Sequence, residues 1–276
     1  MAQDITISNK RLDSRLIGNK SVKLSRFLDI GFKGSDIADC NFNHGRFERC
    51  YFRNAKFRNV SLKNCSFKDC NFHEATFVDC HFDYSEFENC NITFEQLENC
   101  FPPFENLRME LARNLRINAQ NRGDPADYRK FLKIEISASK VYNRRKAFGN
   151  IPYYRERYHT IDARLSGLVT YLRLELEGYF WGHGEAPFRV LLTGALLVLL
   201  FGIVFYALKA DIQNLPTSAN FLDYLGLSLA TLATGSYGNV VLLTTEARLL
   251  ATVERASGVV IFGFFVAALY RSISKR

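Results

Sequence analysis

Residues 64–80, NCSFKDCNFHEATFVDC, decide how this chain folds. Phe67, Phe72 and Phe77 recur at five-residue steps, and Cys65, Cys70 and Ala75 stand two positions before them. Neither a helix, with about 3.6 residues per turn, nor an alternating strand has that period, so a structural repeat is the reading to test. Outward from this stretch the register holds through Phe27, Phe32, Ile37, Phe42, Phe47, Phe52, Phe57, Leu62, Phe82, Phe87, Ile92 and Leu97. Ser25, Ser35, Cys40, Gly45, Cys50, Ala55, Cys80, Ser85 and Cys90 supply the small partner, and all seven cysteines, Cys100 included, share its phase. One large and one small inward side chain per five residues fill a narrow interior and leave three positions for solvent. The thiols then act as small apolar fillers. Zinc is not expected, because His44, His73 and His81 fall at three different outward phases.

This register resembles the pentapeptide-repeat family, A(D/N)Lxx, with Phe as the central residue. The resemblance implies a right-handed quadrilateral β-helix over 27–101, one pentapeptide per side and four per coil, so that fifteen units give a little under four coils. Upstream, Ile7, Leu12, Ile17 and Val22 keep the phase, but Ile5, Lys10, Arg15 and Lys20 are not small. Residues 1–26 are therefore expected to be a degenerate cap on the open end. The solenoid is polarised, with net +3 over Phe27–Asn64 and −7 over Cys65–Cys100. Its acidic part is too short for the DNA mimicry known in this family, and duplex DNA is not an expected partner.

Pro102 and Pro103 end the register and open a helical connector, 102–186. Leu107, Leu111 and Leu115 mark an amphipathic helix over Phe104–Asn121 that stops near Gly123. Asp124-Pro125 then caps a helix reaching about Phe148, and a third is expected from Pro152 to about Tyr179. Between Tyr128 and His159, Arg129, Lys130, Lys133, Lys140, Arg144, Arg145, Lys146, Arg155 and Arg157 interleave with seven aromatic rings, against only Glu135 and Glu156 within the stretch and Asp127 just before it. Three readings stand for this patch: lipid-headgroup contact, a solvated helix face over core aromatics, or a site for an anionic, nucleotide-like ligand stacked on the rings. The candidate ligand-binding residues are Arg129, Lys133, Lys140, Arg144, Arg145, Arg155 and Arg157.

Val190–Leu208 is 19 residues without a charge, long enough to cross most of a hydrocarbon core about 30 Å thick. Ala256–Tyr270, 15 uncharged residues, makes a second span if its helix also includes Leu249–Arg255 with Glu254 facing protein. Arg189, Arg271, Lys275 and Arg276 flank the two spans on one side, which by the positive-inside rule predicts both termini in the cytoplasm. Trp181, Gly182, Gly184 and Pro187 suit a bend at the membrane surface.

Between the spans, the amphipathic run Phe221–Val240 closes on Thr234-Gly235-Ser236-Tyr237-Gly238-Asn239. The order span, short helix, T-x-x-Y-G, span resembles the two-span potassium-channel pore domain, signature TLTTVGYGD. The resemblance implies a homotetramer in which backbone carbonyls of four re-entrant loops coordinate the permeant monovalent cation, K+ or Na+. Gly235 and Ser236 stand where that family has Val and Gly, and Asn239 where it has Asp, which puts potassium selectivity in question.

The expected architecture is thus a multidomain α+β membrane protein: cap, β-helix, connector, and a two-span pore domain with a re-entrant loop at 187–276. At 276 residues the chain exceeds one usual domain, and its 36 Lys and Arg against 28 Asp and Glu place the positive excess on the cytoplasmic side. No signal-peptide pattern precedes the first 100 residues, so the N-terminal part is expected to stay inside, beneath a cell inner membrane. No nucleophile motif, phosphate loop or metal-ligand spacing indicates an enzyme or a cofactor. The functional expectation is a cation channel gated from its cytoplasmic region, fitting a depolarising effector of antiviral defence. The alternative is a membrane-anchored interaction scaffold that does not conduct.

Overall fold

The structure is a computed structural model that describes residues 6–184, 186–208, 212–214, 219–235 and 238–274. It divides into two compact units, Met1–Tyr171 and Leu172–Arg276.

The first unit begins as a β-solenoid. Strands β1 (Thr6–Ser8), β3 (Arg26–Leu28), β5 (Arg46–Glu48), β7 (Ser66–Lys68) and β9 (Glu86–Glu88) form one parallel sheet. A second sheet is built from β2 (Leu16–Gly18), β4 (Asp36–Ala38), β6 (Lys56–Arg58) and β8 (Thr76–Val78). Every pairing joins residues twenty apart, as in Phe47↔Phe67, and single bridges such as Gly31↔Tyr51 complete the remaining sides of each coil. Phe27, Phe47, Phe67 and Phe87 stack with ring centroids 4.6 to 4.9 Å apart, the spacing of adjacent strands. Neighbouring stacks meet edge-on, as at Phe67–Phe72, 5.5 Å and 75°. At the small phase the hydroxyl or thiol donates to a carbonyl of the coil before it: Ser85 Oγ to Leu62 at 2.5 Å, Cys65 Sγ to Phe42 at 3.1 Å. The fillers therefore also satisfy buried acceptors, which a methyl group in their place would not do.

One residue per pentapeptide turns the corner with positive φ, among them Asn59, Asn64, Asp69, Asp79 and Asn89 at 51° to 55°. Asn and Asp tolerate this left-handed region better than other side-chain-bearing residues, which accounts for their abundance two positions after each central residue. The expected cap at the N-terminus is wound as a first coil of the same kind, with Ile7 and Ile17 in register with Phe27 and Ile37. It differs in burial. Lys10, Arg15 and Lys20 stay exposed, and Ile7, Leu12, Ile17 and Val22 are only partly covered.

At the other end the last coil is closed by α1 (Phe94–Leu97), a 3-10 turn at Glu98–Cys100, and α2 (Glu105–Asn121). α2 lays Leu111, Leu115 and Ala119 on the core and offers side-chain amides to the open strand edge. Asn118 accepts from Cys90 N–H at 2.8 Å and donates to Cys90 C=O at 2.9 Å, and Asn114 accepts from Phe87 N–H at 2.7 Å. These amides replace the ladder a further coil would have supplied, blunting an edge that would otherwise pair with another chain.

The antiparallel partner α3 (Pro125–Phe148) starts where expected, with Asp124 accepting from Ala126 and Asp127 N–H and Pro125 in its first turn, and ends on Gly149 at φ 60°. The third connector helix is two helices, α4 (Pro152–Arg157) and α5 (Ile161–Trp181). The break comes at Tyr158, φ −119° and ψ 61°, whose carbonyl accepts from Arg164 Nε at 3.0 Å. Gly167 lets α5 close on α3: a Cβ there would lie 3.1 to 3.2 Å from Lys146, Ala147 and Asn143.

In the second unit α5 ends at Gly182, His183 and Gly184, all with positive φ (60°, 56° and 84°), the sharp corner anticipated from the glycines. α6 (Pro187–Ala207) and the stretch Thr245–Tyr270 of α8 (Thr245–Ser274) are long and apolar enough to cross a membrane. α8 includes the segment Leu249–Arg255. Glu254 within it is fully buried, facing protein as its charge requires.

Candidate functional site

Between the spans stand β10 (Ile212–Gln213), α7 (Phe221–Leu232) and β11 (Val241–Leu242), with β10 and β11 antiparallel. Asn220 N–H donates to the Asp223 carboxylate at 2.8 Å, starting α7. Twelve residues make a helix of about 18 Å, too short to cross a bilayer.

The inner face of α7 explains where it sits. Tyr224 and Leu227 pack with Phe201 and Phe205 of α6 and Ala251 of α8. Ser228 donates to Val198 C=O at 3.0 Å and is hydrogen-bonded to Glu254. Two glycines allow the approach: a Cβ on Gly202 would meet Leu225 Cδ2 at 2.6 Å, and one on Gly258 would meet the Leu232 carbonyl oxygen at 1.9 Å. Gly258 lies midway along the α8 stretch, so α7 ends beside the middle of that helix.

The turn is a Schellman closure. Gly235 N–H donates to Ala230 C=O at 2.7 Å and Thr234 N–H to Thr231 C=O at 3.0 Å, with Thr234 at φ 62°. Glycine usually occupies that left-handed position, and a β-branched residue there costs about 1–3 kcal/mol, a strain characteristic of functional sites. Thr234 Oγ1 donates to Ala233 C=O at 2.6 Å. Thr234, Gly235, Gly238 (φ 57°) and Asn239 are all exposed, whereas Ser236 and Tyr237 lie outside the described residues. The Asn239 carbonyl accepts from Asn214 Nδ2 at 2.9 Å, tying the returning chain to the segment after α6. Carbonyls at the C-terminal end of α7 carry partial negative charge where the loop begins, an arrangement that favours cations. Sequence reasoning missed Gly202, Gly258, Ser228 and Asn214. The two glycines carried a signal, since glycine is poorly suited to a helix interior without a packing reason.

The basic aromatic patch is divided by its own contacts. Arg145 pairs with Glu105, which also accepts from Tyr154 OH at 3.3 Å. Burial, with the Glu105 carboxylate beside it, pushes the Tyr154 phenol up to about 12. Tyr142 OH and Tyr158 OH lie 2.5 Å apart, Lys146 sits 5.2 Å over the Tyr158 ring and Arg157 5.9 Å over Tyr153. Lys133, Arg144 and Arg155 point to the exposed side of their helices, as does Arg129, while Lys140 is half-buried. The tyrosines thus pack on one another, and Arg145 does not share an open surface with Arg144. No cluster of three metal-ligating side chains occurs among the described residues.

Residues 40–101 match the family described as pentapeptide repeat region, and residues 193–275 match the family described as ion channel. The chain joins a pentapeptide-repeat region to an ion-channel region. The ion-channel match takes in most of α6 and α8, the two helices long and apolar enough to cross a membrane, and it follows in sequence a β-solenoid of about four turns. Two trypsin-treated variants of QnrB1, a plasmid-mediated fluoroquinolone resistance protein, are among the similar solved structures, at 15% and 19% identity and TM-scores of 0.19 and 0.21. The matches cover 32% and 33% of this chain and 62% and 56% of those chains. No curated protein matches this sequence.

Proposed function

We propose that four copies of this chain assemble a cation-conducting pore lined by Thr234, Gly235, Ser236, Tyr237, Gly238 and Asn239. One observation carries the reading: α7 stops beside the middle of α8, against Gly258, and its strained, exposed turn returns through Asn239 toward β11. With α8 across the membrane, irregular backbone there is tolerated only where it is buried in protein or lines a water-filled path. Exposure of Thr234, Gly235, Gly238 and Asn239 in the single chain supports a shared axis to which each copy contributes its loop. Asn239 in place of an acidic residue, and Ser236 in place of glycine, support weak discrimination between K+ and Na+.

With Arg189 before the first span and Arg271 after the second, the reading places both termini in the cytoplasm of a cell with this protein in its inner membrane. Gating then falls to the cytoplasmic solenoid and connector, and the setting we infer is host depolarisation in antiviral defence, testable by phage plating on cells expressing wild type and Tyr237→Ala. The direct test is purified protein in planar bilayers together with its oligomeric mass in detergent. A tetramer with cation currents that Tyr237→Ala or Gly238→Ala abolishes supports the reading. A monomer, or silent bilayers over a range of voltages and ligands, leaves the non-conducting scaffold in its place.

A further inference from the structure

Along the solenoid, several cations are matched to carboxylates on a neighbouring coil: Arg49 with Asp29 at 2.7 Å, Arg58 with Asp36 at 2.6 Å, Lys63 with Asp83 at 2.7 Å and Lys68 with Glu88 at 2.8 Å. In one column two arginines face each other instead. Arg26 and Arg46 are register partners in the β3–β5 pair, so like charges stand one strand spacing apart, about 4.8 Å at the backbone. Arg26 is compensated by Glu48, whose two oxygens lie 2.9 Å from Nη2. Arg46 makes no ion pair among the described residues and is exposed.

The two guanidinium groups line a groove of about 460 Å³ along one corner of the solenoid, shared with Thr6, His44, Asn64 and Ser66. Among the described residues no carboxylate lines it. Asn64 Nδ2 lies 2.7 Å from His44 Nδ1, and with the amide donating, a neutral His44 carries its proton on Nε2 and is itself a donor. Arginine forks, hydroxyls and N–H groups without an opposing acid form a lining for an oxyanion, and the volume falls in the range of small-molecule sites.

We propose that this groove binds a phosphate-bearing small molecule, its phosphoryl group held between Arg26 and Arg46. The anion supplies the counter-charge that Arg46 lacks among the described residues, with Arg26, already paired to Glu48, contributing its remaining N–H groups. The site is on the solenoid, apart from the basic aromatic patch, and does not depend on the conduction reading.

The test uses the full chain in detergent at low salt, with inorganic phosphate and AMP as probes, followed by calorimetric titration and thermal melting. Both probes should bind to wild type and weaken as salt rises. Arg46→Gln should lose about tenfold or more in affinity, the scale of one charge-assisted contact. Without ligand the same variant should melt no lower than wild type, because it also removes like-charge repulsion; a merely structural arginine would lower it. Arg49→Gln, a paired cation elsewhere on the solenoid, should bind as wild type does. Tighter binding of AMP than of phosphate assigns the groove to a phosphomonoester, and equal binding assigns it to phosphate. The proposal is overturned if neither probe binds, or if Arg46→Gln binds them as tightly as wild type.

Discussion

Gly258→Ala is the sharpest perturbation of the candidate pore. The added Cβ would lie 1.9 Å from the Leu232 carbonyl oxygen and 2.9 Å from its carbon. Ordinary contact begins near 3.4 Å, so the end of α7 must move by about 1.5 Å, and what moves is main chain rather than a pliable side-chain tip. Overpacking of this kind costs about 1–3 kcal/mol where side chains can relax, and more where backbone must shift. The displaced atoms are those that set the Schellman turn at Thr234, so the loop loses its start point along with its packing. Gly263→Ala is the matched control, on the same helix with nothing within 4 Å of its added Cβ. In planar bilayers Gly258→Ala should give no single-channel openings of wild-type size, while Gly263→Ala conducts normally; detergent mass separates lost conduction from lost assembly. Wild-type currents from Gly258→Ala would refute the claim that close contact between α7 and α8 sets the loop.

The buried thiols make the solenoid sensitive to alkali. Burial pushes Cys65 and Cys80 up to about 12, so their stabilising contribution is whole below the ordinary thiol value near 9.0 and drains away as pH rises from there toward 12; alkylation in the folded protein should stay slow through neutral pH. Asn118→Ala strands the Cys90 N–H, at about 1–3 kcal/mol, and should show as faster hydrogen exchange over residues 86–92, with Asn118→Asp, which keeps the acceptor, less affected. For the connector patch, the double variant Arg144→Glu, Arg155→Glu reverses two exposed charges without setting an acid against Glu105 as Arg145→Glu would. Loss of salt-sensitive nucleotide binding in that variant supports a ligand site there, and unchanged binding removes it.

The solenoid was legible because its signal is repeated at every fifth residue, and Phe67 alone means little without its companions Leu62 and Phe72 five residues to either side. The corner role of Asn59, Asp69 and Asn89 was not read, because a third phase of small polar residues has no hydrophobic signal and shows only in their positive φ. Asn114 and Asn118 were not legible. On a helix they read as weak helix formers, and only the exposed edge at Phe87 and Cys90 gives them a task. Tyr158 likewise carries no break signal in its residue type; the interruption between α4 and α5 shows only in its backbone angles and in the hydrogen bond that its carbonyl accepts from Arg164, six residues on. In the pore region the order of elements could be read from charge-free runs and the resemblance at Thr234 to Asn239. The place along α8 at which α7 stops could not, because it is set by space at Gly258 and Gly202, which is a property of packing and not of periodicity.

The twenty-residue pairing of the solenoid also sets how such a chain can change length over evolutionary time. Inserting or deleting twenty residues adds or removes one whole coil, leaves every phenylalanine over its own stack, and returns Phe87 and Cys90 to the side on which Asn114 and Asn118 dock. An indel of five preserves the inward pattern equally well but turns everything beyond it by one side of the coil, so the docking helix would meet the wrong edge. Ten or fifteen residues turn it by two or three sides in the same way, and a size that is not a multiple of five breaks the core outright. Lineages of this chain should therefore vary in steps of a full coil, and a five-residue change should be tolerated only where compensating substitutions rebuild the α2 contact on the next side.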